Sequence, residues 1–304
     1  MKRKLSILTA LTVLIVSVFA VPVSSNAAEA KISRTSVTVY KGATYTLKIS
    51  GTQEKGSWSS TAKSVATVNS SGKITAKKPG KSTVKVTVSG KTYKCKVTVK
   101  KLQTSSTAAK KAFKKYLDKS IGKKWSKYSR FSNSKFRFVC LDLGTGKNKV
   151  PTMFVWNSAS AHFEGYIGVY QYINGKVKCI NKNDWISAVY PSAGTVLTCY
   201  SGGGYGEVLT YYYSTLNKKT TAKEKAFTAI LSEKSFGGDK EGYEWCREQF
   251  GDDVYKTGSR SVSKTEFDSY RSSTLKKNSS VISSKALRSN RLKNTKSNRN
   301  SYFR

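Results

Sequence analysis

Between residues 31 and 100, apolar side chains recur at every second position in short runs broken by turn residues. This pattern restricts the segment to half-buried antiparallel sheet. Val37 and Val39 alternate before Lys41-Gly42, and Tyr45, Leu47 and Ile49 before Gly51. Ile74 and Ala76 follow Ser71-Gly72. Val84, Val86 and Val88 run from Pro79-Gly80 to Gly90, and Cys95, Val97 and Val99 close the series. A period of two collects alternate side chains on one strand face, and two sheets packed face to face satisfy every run at once. Trp58, Val65 and Val68 read as core of this β-sandwich, and Gly72 and Gly80 as turn glycines.

The outward positions are basic. Residues 31–101 hold sixteen Lys and Arg but one acid, Glu54, so the lysines must form a coat on the solvent faces of the strands. The whole chain is basic too, though less extremely: 304 residues carry 55 Lys and Arg against 17 Asp and Glu, a formal net charge of +38. A single His excludes His-rich metal sites and paired catalytic imidazoles. A hydrophobic content of 38% is enough for real cores.

Trp58-Ser59-Ser60, Ser64-Val65-Ala66-Thr67-Val68, Gly72-Lys73-Ile74-Thr75-Ala76, Pro79-Gly80 and Tyr93-Lys94-Cys95-Lys96-Val97-Thr98-Val99 occur in that order. Together they resemble the bacterial Ig-like domain, group 2, the invasin/intimin-type module of exported bacterial proteins. The resemblance covers residues 31–100. It implies a small sandwich, a surface location and a spacer or adhesive role, and it transfers no catalytic residue.

The N-terminus agrees on export. Lys2, Arg3 and Lys4 precede an apolar run from Leu5 to Val23, and small residues follow to Ala30. This is the layout of a secretory signal peptide over residues 1–30, with cleavage after Ala27 or Ala30. An uncleaved anchor is the competing reading. No later run reaches spanning length, so no stable membrane insertion is expected after cleavage. Five cysteines (Cys95, Cys140, Cys179, Cys199, Cys246) leave at least one thiol unpaired, with no CxxC spacing for zinc. Which of the others pair is open.

Residues 101–107 read as a short polar linker. Ala109, Ala112, Phe113, Tyr116, Leu117 and Ile121 then fall at helical spacing, opposite a lysine-rich face. Strand-like runs follow at 136–143, 150–156, 166–173, 176–180, 185–190, 195–200 and 207–216, with Asn174-Gly175 as a hairpin turn. Ser263-Lys264-Thr265-Glu266 is a capping box opening a helix. The fold class expected is therefore mainly β: an N-terminal Ig-like β-sandwich, then an α+β domain with an antiparallel sheet over residues 108–275. That second region faintly resembles uncharacterised exported Firmicutes domains, through Phe138–Leu143, Val150–Val155, Asn174-Gly175-Lys176 and Val262–Phe267. The loop Gly144–Lys149 lacks the acidic pair of their pattern, and Asp142 alone, with Lys147 and Lys149 nearby, cannot assemble a calcium shell.

Residues 276–304 carry nine cations and no acid, with Ser and Asn filling most other positions, and read as a disordered basic tail. Arg288, Arg291, Lys293, Lys296, Arg299 and Arg304 are its candidate polyanion contacts; an inert solubilising tail is the alternative. Trp156, Trp185 and Tyr205 are candidate glycan-stacking rings. An enzymatic reading would need a cleft gathering His162 or paired carboxylates. No catalytic, metal or cofactor site is expected. The partners expected are anionic cell-wall polymers or host glycans and other surface proteins, not intracellular nucleic acid.

Overall fold

Alternation in the first segment produces nine strands. They are β1 (Lys31–Ile32), β2 (Ser36–Tyr40), β3 (Thr44–Thr46), β4 (Ile49–Ser50), β5 (Ser57–Ser60), β6 (Ala66–Val68), β7 (Lys73–Ala76), β8 (Gly80–Val88) and β9 (Lys91–Lys100). The computed structural model describes residues 29–121, 135–158, 167–201, 208–215, 223–230, 241, 244, 248, 255–257, 260–274 and 280–304. One sheet of the sandwich has the order β2-β9-β8-β5, with β2 parallel to β9, and the facing sheet the order β3-β7-β6; β1 and β4 form a short extra pair. Val39, Tyr45, Leu47, Ile74, Val84, Val97 and Val99 fill the space between them.

Trp58 is half-buried rather than enclosed, and packs on the edge of this core. Its position is fixed by Gly72. The Asn69 side-chain oxygen accepts from the backbone N–H groups of Ser71 and Lys73 at 3.1 and 2.9 Å, which tightens the turn and leaves Gly72 at φ +75°. A Cβ there would lie 2.5 Å from the Leu47 carbonyl oxygen and 2.8 Å from the Trp58 ring. Glycine is required both by the backbone angle and by the close approach.

The second region is built on α1 (Thr107–Lys119), β10 (Phe136–Leu143), β11 (Val150–Asn157), β12 (Ile167–Ile173), β13 (Lys176–Tyr190), β14 (Thr195–Ser201), β15 (Val208–Thr215) and β16 (Lys223–Ile230). Then come β17 (Tyr255–Thr257), β18 (Arg260–Val262), α2 (Lys264–Thr274), β19 (Ile282–Ser283), α3 (Ser284–Ser289), β20 (Leu292–Lys293) and α4 (Lys296–Tyr302). Strands β10 to β16 form an antiparallel meander in sequence order, with β20 beside β10 and β19 beside β13. Asn174 and Gly175, at φ 51° and 75°, make the hairpin turn that their identities require. The runs at 176–180 and 185–190 are one strand: register shifts let the first part of β13 pair with β12 and the second with β14. The capping box opens α2, with the Ser263 backbone N–H donating to Glu266 at 3.0 Å and the Glu266 N–H donating to Ser263 Oγ at 3.2 Å.

Strand β10 is buried along almost its whole length, because both faces of its sheet are covered. Phe136, Phe138 and Cys140 pack beneath Phe113 and Leu117 of α1 and Ile121 just after it. Val139, Leu141 and Leu143 belong to an apolar cluster continuous with the sandwich core, which also takes in Trp156, Ile282 and Leu287. The segment read as a linker is part of this packing: Leu102 and Thr104 are buried.

The reading of 276–304 as disordered is corrected over residues 280–304, which form β19, α3, β20 and α4. Too apolar-poor to fold alone, the segment folds by docking. Val281 exchanges backbone hydrogen bonds with Thr44 of the sandwich at 2.8 and 2.9 Å, and Ile282 pairs with Val189 of β13. Leu292 pairs with Phe138 of β10. Ala286 on α3 sits against Gly42, where a Cβ would come within 3.1 Å of the Ala286 Cβ. The C-terminal segment is thus a clasp that touches both the sandwich and the large sheet.

Candidate functional site

Two places gather polar chemistry: the junction between the domains, and the outer face of the sandwich. At the junction, Asp142 lies on β10 beneath the connector and is 4% exposed. Thr104 Oγ1 donates to one carboxylate oxygen at 2.5 Å. The Ser105 backbone N–H and hydroxyl donate to the other at 2.9 and 2.6 Å. Ser106, next along, caps α1 by accepting from the Ala109 N–H at 3.2 Å. The carboxylate therefore fixes the connector and the start of the helix. A cavity of about 320 Å³ opens beside it, lined by Ser105, Asp142, Lys149, Pro151, Tyr172 and Asn174. Because both Asp142 oxygens are already engaged, the carboxylate is a structural latch.

Two tyrosines complete the junction. The Tyr40 hydroxyl accepts from the Asp142 backbone N–H at 3.4 Å. The Tyr302 hydroxyl donates to the Leu102 carbonyl and accepts from the Cys140 N–H at 2.9 Å. Burial, and then the Asp142 carboxylate, push the Tyr40 phenol from 10.0 up to about 12. Burial pushes the Cys95 thiol from 9.0 up to about 11. Both groups are neutral in the fold and ionise more readily once unfolded, so their contribution is complete below about pH 9 and is lost as pH rises through about 12. The urea midpoint should be flat from pH 7 to about 9 and fall above about 10, and Tyr40→Phe should make that fall shallower.

The candidate polyanion contacts divide. Arg299 is buried, ion-paired to Asp118 and bonded to Asn294 Oδ1 at 2.9 Å, so it is withdrawn from that role. Arg288 is half-buried and reaches Ser284 Oγ at 3.2 Å. Arg291, also half-buried, lies over the Trp156 ring, 5.8 Å from its centroid. Lys293, Lys296 and Arg304 are exposed. Among the stacking candidates, Trp156 is 1% exposed and belongs to the apolar cluster, which removes it as a glycan platform. Trp185 lies on β13 with its side chain outside the described residues, and Tyr205 and His162 lie outside them altogether. The N-terminal 28 residues, and with them the expected signal peptide, also lie outside. Among the described residues no three of His, Cys, Asp and Glu converge as metal ligands, and no helix is long and apolar enough to cross a membrane. Cys95 and Cys140 are free thiols in the core, and Cys179 is exposed.

The lysines of the sandwich, which the sequence left as an anonymous coat, take definite positions in the sheet. On the outer face of the β2-β9-β8-β5 sheet, Lys81, Lys94, Lys96 and Lys100 are exposed and Lys85 is half-exposed. Lys85 and Lys94 are direct cross-strand partners, and Lys96 faces Ser36 on one side and Thr83 on the other. A shallow groove of about 540 Å³ crosses this face, lined by Ser36, Thr38, Lys81, Thr83, Lys96 and Thr98. The signal was present as parity: even positions from 92 to 100 point outward, and three of the five are lysine.

Comparison with known proteins agrees with the fold of the first segment. Residues 27–109 match the family model of the bacterial Ig-like domain (group 2), and this segment is a domain of that kind. No curated protein sequence matches the chain. Among solved structures, an intimin mutant from EHEC O157:H7 is 18% identical, with 51% of this chain and 93% of that one covered, at a TM-score of 0.25. Domains 5–6 of the S-layer protein SbsC are 17% identical, with 69% and 90% covered, at a TM-score of 0.22. Likeness at that level assigns no functional residue. The described residues are mainly β, with antiparallel pairing throughout the large sheet.

Proposed function

We propose that the chain is an exported, non-enzymatic bacterial surface protein whose Ig-like domain is a basic spacer and adhesion module and which associates electrostatically with anionic polymers of the cell wall or of host surfaces. The observation that carries this reading is the charge of the Ig-like domain, sixteen cations against one acid over residues 31–101. Solubility alone needs a mixed surface with a modest net charge, and a single-sign surface of this size attracts polyanions over several ångströms. The Ig-like match and the basic, apolar, small-residue layout of the N-terminus support export. The Asp142 cluster is engaged in holding the connector, which supports a structural over a catalytic role for that carboxylate.

Ionic association weakens as salt shortens the screening length from about 8 Å at physiological strength to about 3 Å at 1 M. Cells should be fractionated into wall, membrane and medium, with and without a 1 M salt wash. The protein should sit in the wall fraction and move to the wash. Retention in the membrane fraction, indifferent to salt, would reject the reading in favour of an uncleaved anchor.

A further inference from the structure

We infer that the outer face of the β2-β9-β8-β5 sheet is the polyanion-binding surface, and that it takes a flexible phosphodiester-linked polyol rather than a ring-stacked glycan or a nucleic acid. The inference rests on the ionic reading above and assigns it to a place and a ligand class.

The place follows from register. Lys85 on β8 and Lys94 on β9 are directly opposed, with Cβ atoms about 5 Å apart in such a pair. Lys96 is two residues along β9, and Lys81 opposes Thr98, so the row continues diagonally toward Lys100. Like charges set directly across a sheet destabilise it, and among the described residues no carboxylate pairs with any of these five lysines. Two acids of the domain's surroundings are occupied elsewhere: Glu54 bonds Ser89 at 2.9 Å, and Glu29 pairs with Lys91 at 3.4 Å. An external anion is what would relieve the repulsion between Lys85 and Lys94.

The ligand class follows from what surrounds the charges. Ser36, Thr38, Thr83 and Thr98 interleave with the lysines and supply hydroxyl donors to anionic oxygens. The cations of the face are all lysine, compact point charges that suit phosphate without the fixed fork that reads a particular geometry. The aromatic rings of these strands are not free on this face. Tyr93 and Trp58 are on the inward parity, and Tyr40, on the outward parity opposite Lys100, is half-buried with its hydroxyl bonded to Asp142. Single-stranded nucleic acids and neutral glycans need exposed rings for stacking, and a stiff duplex cylinder meets few points of a flat sheet. A flexible polyol phosphate follows the row.

The test uses the full chain on immobilised poly(glycerol phosphate), with polygalacturonate and duplex DNA as matched-charge comparisons. Lys85→Gln/Lys94→Gln/Lys96→Gln is set against Lys73→Gln/Lys77→Gln/Lys78→Gln, which removes the same charge from exposed positions on and next to the other sheet. The first variant should lose at least tenfold in affinity and melt no lower than the parent, because a repulsive pair has been removed. The second should lose no more than twofold. Equal losses from both variants would overturn the assigned face while leaving ionic association standing. Tighter binding to DNA or polygalacturonate than to the polyol phosphate would overturn the ligand class. Failure of the parent chain to bind any of the three at low salt would reject the ionic reading itself.

Discussion

A chain ending at residue 279 should lose the cooperative fold of the large sheet. The deleted segment carries Ile282 and Leu287, both fully buried, and each such side chain contributes about 1.5–3 kcal/mol when removed from water. It also carries the strand that pairs with β10, the strand that pairs with β13, and the Tyr302 hydroxyl that joins Leu102 to Cys140. Removing Arg299 also takes the cation from Asp118, which is half exposed and recovers solvation easily. Together these losses exceed about 5 kcal/mol, comparable to the whole stability of an ordinary domain, roughly 5–15 kcal/mol. The measurement is thermal melting with limited proteolysis of the full and truncated chains. The truncated chain should be cleaved within the large sheet under conditions where the full chain resists. An unchanged melting transition would show that the segment is the free arm that its composition suggests.

The second large effect is at Asp142. Asp142→Ala removes the acceptor of three hydrogen bonds and leaves the buried Thr104 hydroxyl without it, while the exposed Ser105 donors turn to solvent. Hydrogen bonds to a charged group contribute about 1.5–3 kcal/mol each and do not add fully, so a loss of about 3–4 kcal/mol is expected. Asp142→Asn should recover only part of it, because its amide nitrogen would face donors. Urea titration followed by tryptophan fluorescence reads the shift, and a change below about 1 kcal/mol would mean that water replaces the carboxylate.

The sandwich was legible because its signal is local. Val84, Val86 and Val88 announce a strand whatever lies beyond it, and Asn174-Gly175 announces a turn by backbone geometry alone. The run Phe136–Leu143, apolar but for Arg137 and Asp142, announced a strand, but not that the sandwich and α1 would cover its two faces. The C-terminal segment was misread for the converse reason. Its few apolar residues, Val281, Ile282, Leu287, Leu292, Tyr302 and Phe303, are too sparse for a core, and no local pattern tells that another domain supplies the rest. Arg299 looked like every other basic side chain until Asp118, distant in sequence, came beside it. Asp142 was weighed only as a poor calcium ligand, while its partners stood in the Thr104-Ser105 run that read as a linker. On the sandwich, composition gave the charge and parity gave the face, but the opposition of Lys85 and Lys94 needed the strand register.

The central claim is that a rigid, folded surface holds the protein to polyanions through charge. The direct measurement is the affinity of the full chain for poly(glycerol phosphate) over a series from low salt to 1 M at constant pH. The account predicts a straight fall of log affinity with log salt, of at least tenfold over the series, with the melting temperature of the free protein little changed. An affinity that holds constant across the series would contradict it.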